Sequence, residues 1–162
     1  MEVSEIAKTQ KRISAAFRRL LKNESIMRVN LNECERVDEY TLGNKAIANL
    51  PTLLEQEFGL KIKGKLLRDY VKNKQGDQIE VNILGKATNN GDKFIIIGEC
   101  KVQLSKNKIC EFSAGKLKRL AGVFEGQLFP ILIAHWKTEP DVDDFARKQG
   151  IKRVYYSYEF GH

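Results

Sequence analysis

Glu99 and Lys101 stand two residues apart in GECKVQ, residues 98–103, directly after the apolar run Phe94-Ile95-Ile96-Ile97. Side chains at i and i+2 of a strand share a face, so a carboxylate and an ammonium would stand together at the end of a buried strand. Alone, such a pair is a surface ion pair of little energetic consequence. Beside further oxygen ligands it is half of a metal-dependent hydrolytic site. The preceding segment QIEVNIL, residues 78–84, offers those ligands: Ile79, Val81 and Ile83 alternate with Gln78, Glu80 and Asn82. That is the pattern of a strand with one apolar and one polar face. Asn-Asn-Gly in KATNNGD is a hairpin turn signal, so the two strands are expected to pair antiparallel. Glu80, Asn82, Glu99 and Lys101 would then converge. Two carboxylates and an amide oxygen suit Mg²⁺ or Mn²⁺, a bound metal lowers the pKa of a water, and a nearby lysine orients that water or steadies charge on phosphorus. The arrangement asks for hydrolysis of a phosphodiester.

The rest of the chain must position these groups. Residues 4–23 read as a helix capped by Ser4, with Ile6, Ile13, Phe17, Leu20 and Leu21 at helical spacing and six basic residues between Lys8 and Lys22. That helix is expected either to keep its charges as a solvated face or to pack on a partner chain, as in a homodimer, or ride on phosphates. Residues 24–40 read as a polar connector holding a short helix or strand. A second helix over residues 42–58 is bent or restarted at Pro51 and stopped by Gly59. Residues 105–126 read as a helix, and residues 128–136, LFPILIAHW, as a strand buried on both faces. A short helix closed by Gly150 and a final strand, RVYYSYEF, complete the chain. The order α, α, β, β, α, β, α, β describes an α/β domain with a mixed sheet flanked by helices. The expected division is an N-terminal helix and connector over residues 1–40 and a core domain over residues 41–162.

Composition bounds the function. The chain has 162 residues, 42% hydrophobic and 30% charged, enough for one core domain. Its longest apolar stretch is far short of the roughly 20 residues needed to span a bilayer, and no apolar leader opens the sequence, so no membrane partner is expected. Cys34, Cys100 and Cys110 lack zinc-ligand spacing, which points to reduced thiols and a cytoplasmic protein. Cys100 faces away from Glu99 and Lys101 and is expected in the core. A net charge of +7 and a pI near 9.3 suit a polyanionic partner such as nucleic acid. Residues 61–75 and 101–119 each hold six Lys or Arg against one acid. Asp141, Asp143 and Asp144 fall in a first helical turn, where acids complement the helix dipole. His135 and Trp136 close a buried strand and are expected to pack there, and the terminal His162 is expected to be disordered.

The stretch IEVNILGKATNNGDKFIIIGECK resembles the core of the PD-(D/E)XK nuclease superfamily, the restriction-endonuclease-like fold. That family carries an acid on one strand, then a hairpin, then a strand ending in (D/E)-X-K, and Glu99-Cys100-Lys101 matches its second half. The resemblance covers residues 42–160 as architecture and residues 78–103 as motif. It implies a divalent-metal-dependent nuclease acting on DNA with little sequence preference, with Glu80, Asn82 and Glu99 on the metal. Lys101 would position water, and Gln103 would be the polar residue that faces the same site. Asn82 stands where the family's usual acid is Asp, leaving Glu80 or Asp77 to take over. No acid occurs in GNKAIANL, where many members carry a helix Glu; Glu55 and Glu57 lie further along. The alternative is a nuclease-fold module that binds nucleic acid or a partner protein without cutting.

Overall fold

The computed structural model describes residues 2–161, with the side chains of residues 2–4 and 24–32 outside the description. The Ser4 cap and the end at His162 therefore lie outside the described residues. Helix α1 runs Glu2–Phe58. The chain divides into two compact units, one up to Val37 and one from Asp38 onward, and each is described by itself.

In the first unit α1 is an unbroken helix whose Ile6, Ile13, Phe17 and Leu20 are all exposed. Residues 24–40, expected as a connector, are helical instead. No Gly or Pro interrupts residues 2–42, and Glu, Arg, Met and Leu in this stretch are good helix formers. Among the described side chains of this stretch, residues 33–40, all are exposed except the partly covered Glu39.

In the second unit the remainder of α1 lays Leu42, Ala46, Leu50 and Leu54 on one face of a sheet, each at most 1% exposed. Pro51 sits within this helix without ending it. Gly59, at φ +67, does end it. Its N–H donates to Glu55 O, and the Leu60 N–H reaches back to Leu54 O, the left-handed cap that favours glycine.

Five strands follow: β1 Lys61–Lys72, β2 Gln78–Asn89, β3 Asp92–Leu104, β4 Gln127–Lys137 and β5 Arg153–Tyr156. They lie in the order β1-β2-β3-β4-β5. β1, β2 and β3 form an antiparallel meander, and β3, β4 and β5 run parallel. The fold is thus α/β with a mixed sheet flanked by helices. The β2–β3 hairpin closes on Asn90 and Gly91, at φ 51 and 88, the conformation that Asn-Gly favours. The crossover to β4 is α2 Lys106–Cys110, a π-helical segment Glu111–Leu117, and α3 Lys118–Leu120. The crossover to β5 is α4 Val142–Lys148. These crossover helices cover the sheet face opposite α1. Ile109, Phe112, Leu120, Val142 and Ala146 pack there against Ile95, Ile97, Leu132 and Val154.

Three expectations change. The basic stretch at residues 61–75 is largely the edge strand β1, with Ile62 and Leu66 packed toward α1 and Lys61, Lys63 and Lys65 in water. Lysines on an edge discourage pairing with another chain. The last strand stops at Tyr156, and Ser157–Glu159 form a 3₁₀ turn. There Glu159 accepts from the Tyr156 N–H at 2.8 Å and pairs with Arg153 at 2.5 Å. His135 and Trp136 do not pack in the core: β4 outruns its neighbour β5, both side chains are exposed, and His135 Nδ1 lies 2.9 Å from Ser157 Oγ.

Candidate functional site

The β2–β3 ladder ends at Ile83–Gly98, although β2 begins at Gln78 and β3 runs to Leu104. The two strands therefore part at the level of Glu99. Asn82 bridges the parting: its Oδ1 accepts a hydrogen bond from the Cys100 backbone N–H at 2.9 Å. At the same point β2 carries a bulge. Pairing with β1 advances two residues, Leu67 to Asp69, while β2 advances three, Leu84 to Val81.

The bulge changes which residues share a face. Ile79 and Val81 belong to the core beneath the crossover helices, whereas Ile83 belongs to the core beneath α1. Glu80 lies between Ile79 and Val81, opposite Tyr70, and so projects to the α1 side, where it is exposed. Glu99 follows Ile95 and Ile97 onto the other face. The expected convergence of Glu80 with Glu99 does not occur. The alternation of residues 79–83 is real in the sequence, and one extra residue in the strand undoes its meaning.

Glu99 is 8% exposed. Its Oε2 lies 2.6 Å from Lys116 Nζ and its Oε1 4.0 Å from Lys101 Nζ. Lys108, Glu111 and Phe112 complete a shallow cavity of about 170 Å³ around this group. Lys108 Nζ donates to the Gln103 carbonyl oxygen at 2.8 Å, so Gln103 contributes its backbone, and its side chain does not line the cavity. Lys101 stands beside Glu99 on β3. Asp77 sits in the β1–β2 turn, 3.4 Å from Arg119, facing a different hollow. Glu57 is held by Arg153 at 3.0 Å.

Lys108 and Lys116 were not singled out from the sequence. Their signal is the step of four in Lys108, Phe112 and Lys116, which sets one stripe on a helix. Ser105 starts that helix, its Oγ accepting from the Lys108 N–H at 3.3 Å, a side-chain cap of the kind Ser favours. Phe112 anchors the stripe in the core at 3% exposure, and the two lysines flank it at the rim.

On the α1 side, Cys100 is fully buried, as expected. Burial, and then the neighbouring Glu99 carboxylate, push its thiol up to about 12. Arg68 comes near it, stacking its guanidinium 4.3 Å from the Tyr40 ring centroid beside Gly43. Asp141, Asp143 and Asp144 open α4, and each is matched by a cation: Lys106, Lys137 and Arg147 respectively.

The donor set does not fit a divalent cation. Of the two carboxylates lining the cavity, Glu99 is already met by two ammonium groups and Glu111 is exposed at the rim, the Asn82 oxygen is committed to a backbone N–H, and Glu80 points away. Among the described residues no three His, Cys, Asp or Glu side chains gather as metal ligands. What the cavity presents is three ammonium groups against two carboxylates, Glu99 and Glu111, a small positive excess suited to a phosphate oxygen.

No family model and no curated protein matches this chain. Among solved structures it is similar to the apo form of EndoMS, at 12% identity and a TM-score of 0.35. The aligned region covers 68% of this chain and 45% of that one.

Proposed function

We propose that this protein binds the phosphate backbone of nucleic acid, DNA in the first instance, without hydrolysing it. The observation that carries the reading is the trio Lys101, Lys108 and Lys116 gathered with Glu99 and Glu111 at the mouth of the parted strands, where cations outnumber carboxylates. A carboxylate buried this far needs a partner, and Glu99 supplies the reason for two lysines to stand together. A phosphate entering the cavity competes with Glu99 for the ammonium groups and meets more positive than negative charge. Lys118 and Arg119 follow in the same crossover segment and are exposed beside a second hollow, where Arg119 pairs with Asp77; Lys118 is a further cation that a backbone could meet. Nothing in this set reads base edges, so little sequence preference follows.

The catalytic reading, a Mg²⁺- or Mn²⁺-dependent nuclease with Glu80, Asn82 and Glu99 on the metal, asks for ligands that lie on two faces of β2 and β3. It also asks Glu99 to exchange Lys116 for a cation. The deciding experiment measures binding of single- and double-stranded oligonucleotides by fluorescence anisotropy across a salt series. The same samples are then incubated with Mg²⁺ and with Mn²⁺. Binding that weakens steeply with salt, is lost in the Lys101→Ala/Lys108→Ala/Lys116→Ala variant, and leaves the strands intact is the expected result. Cleavage that disappears in Glu99→Ala would overturn the non-catalytic reading.

A further inference from the structure

In the first unit the seven-residue step is strict. Residues 3–34 read VxxIxxxQxxIxxxFxxLxxxExxMxxxLxxC, spacings of three and four in unbroken alternation. Eight of these ten positions are apolar. Ile6, Ile13, Phe17 and Leu20 are 59%, 64%, 61% and 66% exposed, so among the described residues of this unit these four stripe positions are left open. A two-per-heptad stripe is the narrow seam of a coiled coil. The wide apolar face of a helix lying on a membrane is missing: of the flanks Ala7, Thr9, Ser14, Ala16, Leu21 and Asn23, five are small or polar and Leu21 alone is large and apolar.

We infer that this seam is covered by a second copy of the chain, in a parallel, in-register two-stranded coiled coil. The sequence matches itself. In register, the eight apolar layers face their own kind, and the two polar positions, Gln10 and Glu24, are confined to two layers. Gln10 meets Gln10, an amide pair able to donate and accept. Antiparallel packing of the same stretch, Val3 across from Cys34, would set both Gln10 and both Glu24 against apolar residues and spoil four layers. A single polar core position is a known device for fixing register. Charge agrees. Lys8, Lys11, Arg12, Arg18, Arg19 and Lys22 all fall on the outer positions of the heptad, away from the partner helix, so the concentrated positive charge does not oppose pairing.

The size is sufficient. Residues 3–34 make a helix about 48 Å long at 1.5 Å per residue. Seam and flanking positions over residues 3–37 amount to about 20 per chain, the number a standard stable interface engages on each side.

In this register Cys34 lies across from Cys34 of the second copy. Cys34 is exposed in the single chain, and facing seam positions bring Cα atoms within the range of about 4.4–6.8 Å that a disulfide spans. The test uses the full chain. Light scattering after size exclusion, in reductant at micromolar concentration, should give twice the 18.5 kDa chain mass. Oxidation in glutathione buffer should then give a non-reducing dimer band in wild type and in Cys110→Ser, and none in Cys34→Ser. The double variant Phe17→Glu/Leu20→Glu should return to monomer with the thermal unfolding of the core unchanged. A monomer mass for the wild type overturns the inference, whether or not that monomer sediments with anionic vesicles. A dimer that Cys34 fails to cross-link, or that Cys34→Ser still cross-links, overturns the parallel register.

Discussion

Asn82 Oδ1 holds the Cys100 backbone N–H at 2.9 Å across the gap where β2 and β3 part. One side chain thus takes the place of the ladder at the point where β2 changes the face it presents to the core. The bond closes the parting that leaves Glu99 at the rim of a cavity.

Removing that acceptor should be costly. Asn82→Ala leaves a backbone donor in the part-buried gap without a partner, a loss of about 1–2 kcal/mol. Asn82→Asp keeps an oxygen in place and should cost less. Urea unfolding of the two variants beside wild type checks the order. Equal destabilisation by both would mean that the amide nitrogen, and not Oδ1, does the holding.

Lys116 and Lys101 flank the same carboxylate at 2.6 and 4.0 Å, and their substitution should separate stability from binding. Lys116→Ala leaves Glu99 buried against one distant ammonium. Breaking a buried pair this way costs several kcal/mol at most, and with Lys116 22% exposed about 2 kcal/mol is expected. Lys101→Ala, which gives up only the longer contact, should cost less than half of that. Each variant should lower nucleic-acid affinity and reduce the slope of log affinity against log salt by about 1. An unchanged slope in both would place the phosphate contacts elsewhere on the molecule.

These residues also show what could be read from sequence. Asn90-Gly91 announced the hairpin, and the apolar run 94–97 announced β3, because turn chemistry and burial act within a few residues. Glu99 beside Lys101 followed from the period of a strand. The bulge at Asn82 left no such mark. Ile79, Val81 and Ile83 alternate perfectly, yet Val81 and Ile83 pack on opposite faces of the sheet, because the extra residue is defined only against β1. Lys116 was hidden for a related reason: its meeting with Glu99 depends on how the crossover helix lies on β3, a long-range fact. β1 escaped because an edge strand rich in lysine has few apolar positions to alternate. The helix over residues 24–40 escaped because the stretch is rich in polar residues, and of its described side chains, residues 33–40, none is buried.

Two glycines near the site should respond oppositely to alanine. Gly98 pairs with Ile83 at the last rung of the ladder, and a Cβ there would meet the Ile83 Cβ at 2.9 Å. Neither strand can withdraw, so Gly98→Ala should destabilise by about 1–3 kcal/mol. A Cβ on Gly43 would meet the end of the Arg68 side chain at 2.6 Å, a flexible group with room to swing toward solvent. Gly43→Ala lies within a helix, where alanine is favoured by up to about 1 kcal/mol, and should be neutral or stabilising. Thermal unfolding of both variants tests the contrast, and a Gly43→Ala protein as damaged as Gly98→Ala would contradict it.

The last prediction concerns acid. Asp143 joins three elements: its Oδ2 accepts from Lys137 on β4 at 2.8 Å and its Oδ1 from Tyr156 on β5 at 2.6 Å, while its backbone opens α4. Partial burial by itself would raise its pKa, but the two hydrogen bonds outweigh burial and hold the carboxyl below the ordinary carboxylate value. A folded-state pKa below the unfolded one means that the contribution is complete above about pH 4, the unfolded carboxyl value. It is lost as pH falls through the folded value. Solvent reaches 37% of the side chain, so screening limits the contribution to about 1 kcal/mol. Asp143→Asn should therefore be less stable than wild type at neutral pH, with the two proteins converging below pH 4. Urea unfolding from neutral pH down into the acid range reads this directly. A difference that persists undiminished at the acid end would assign the loss to packing and not to the charge on Asp143.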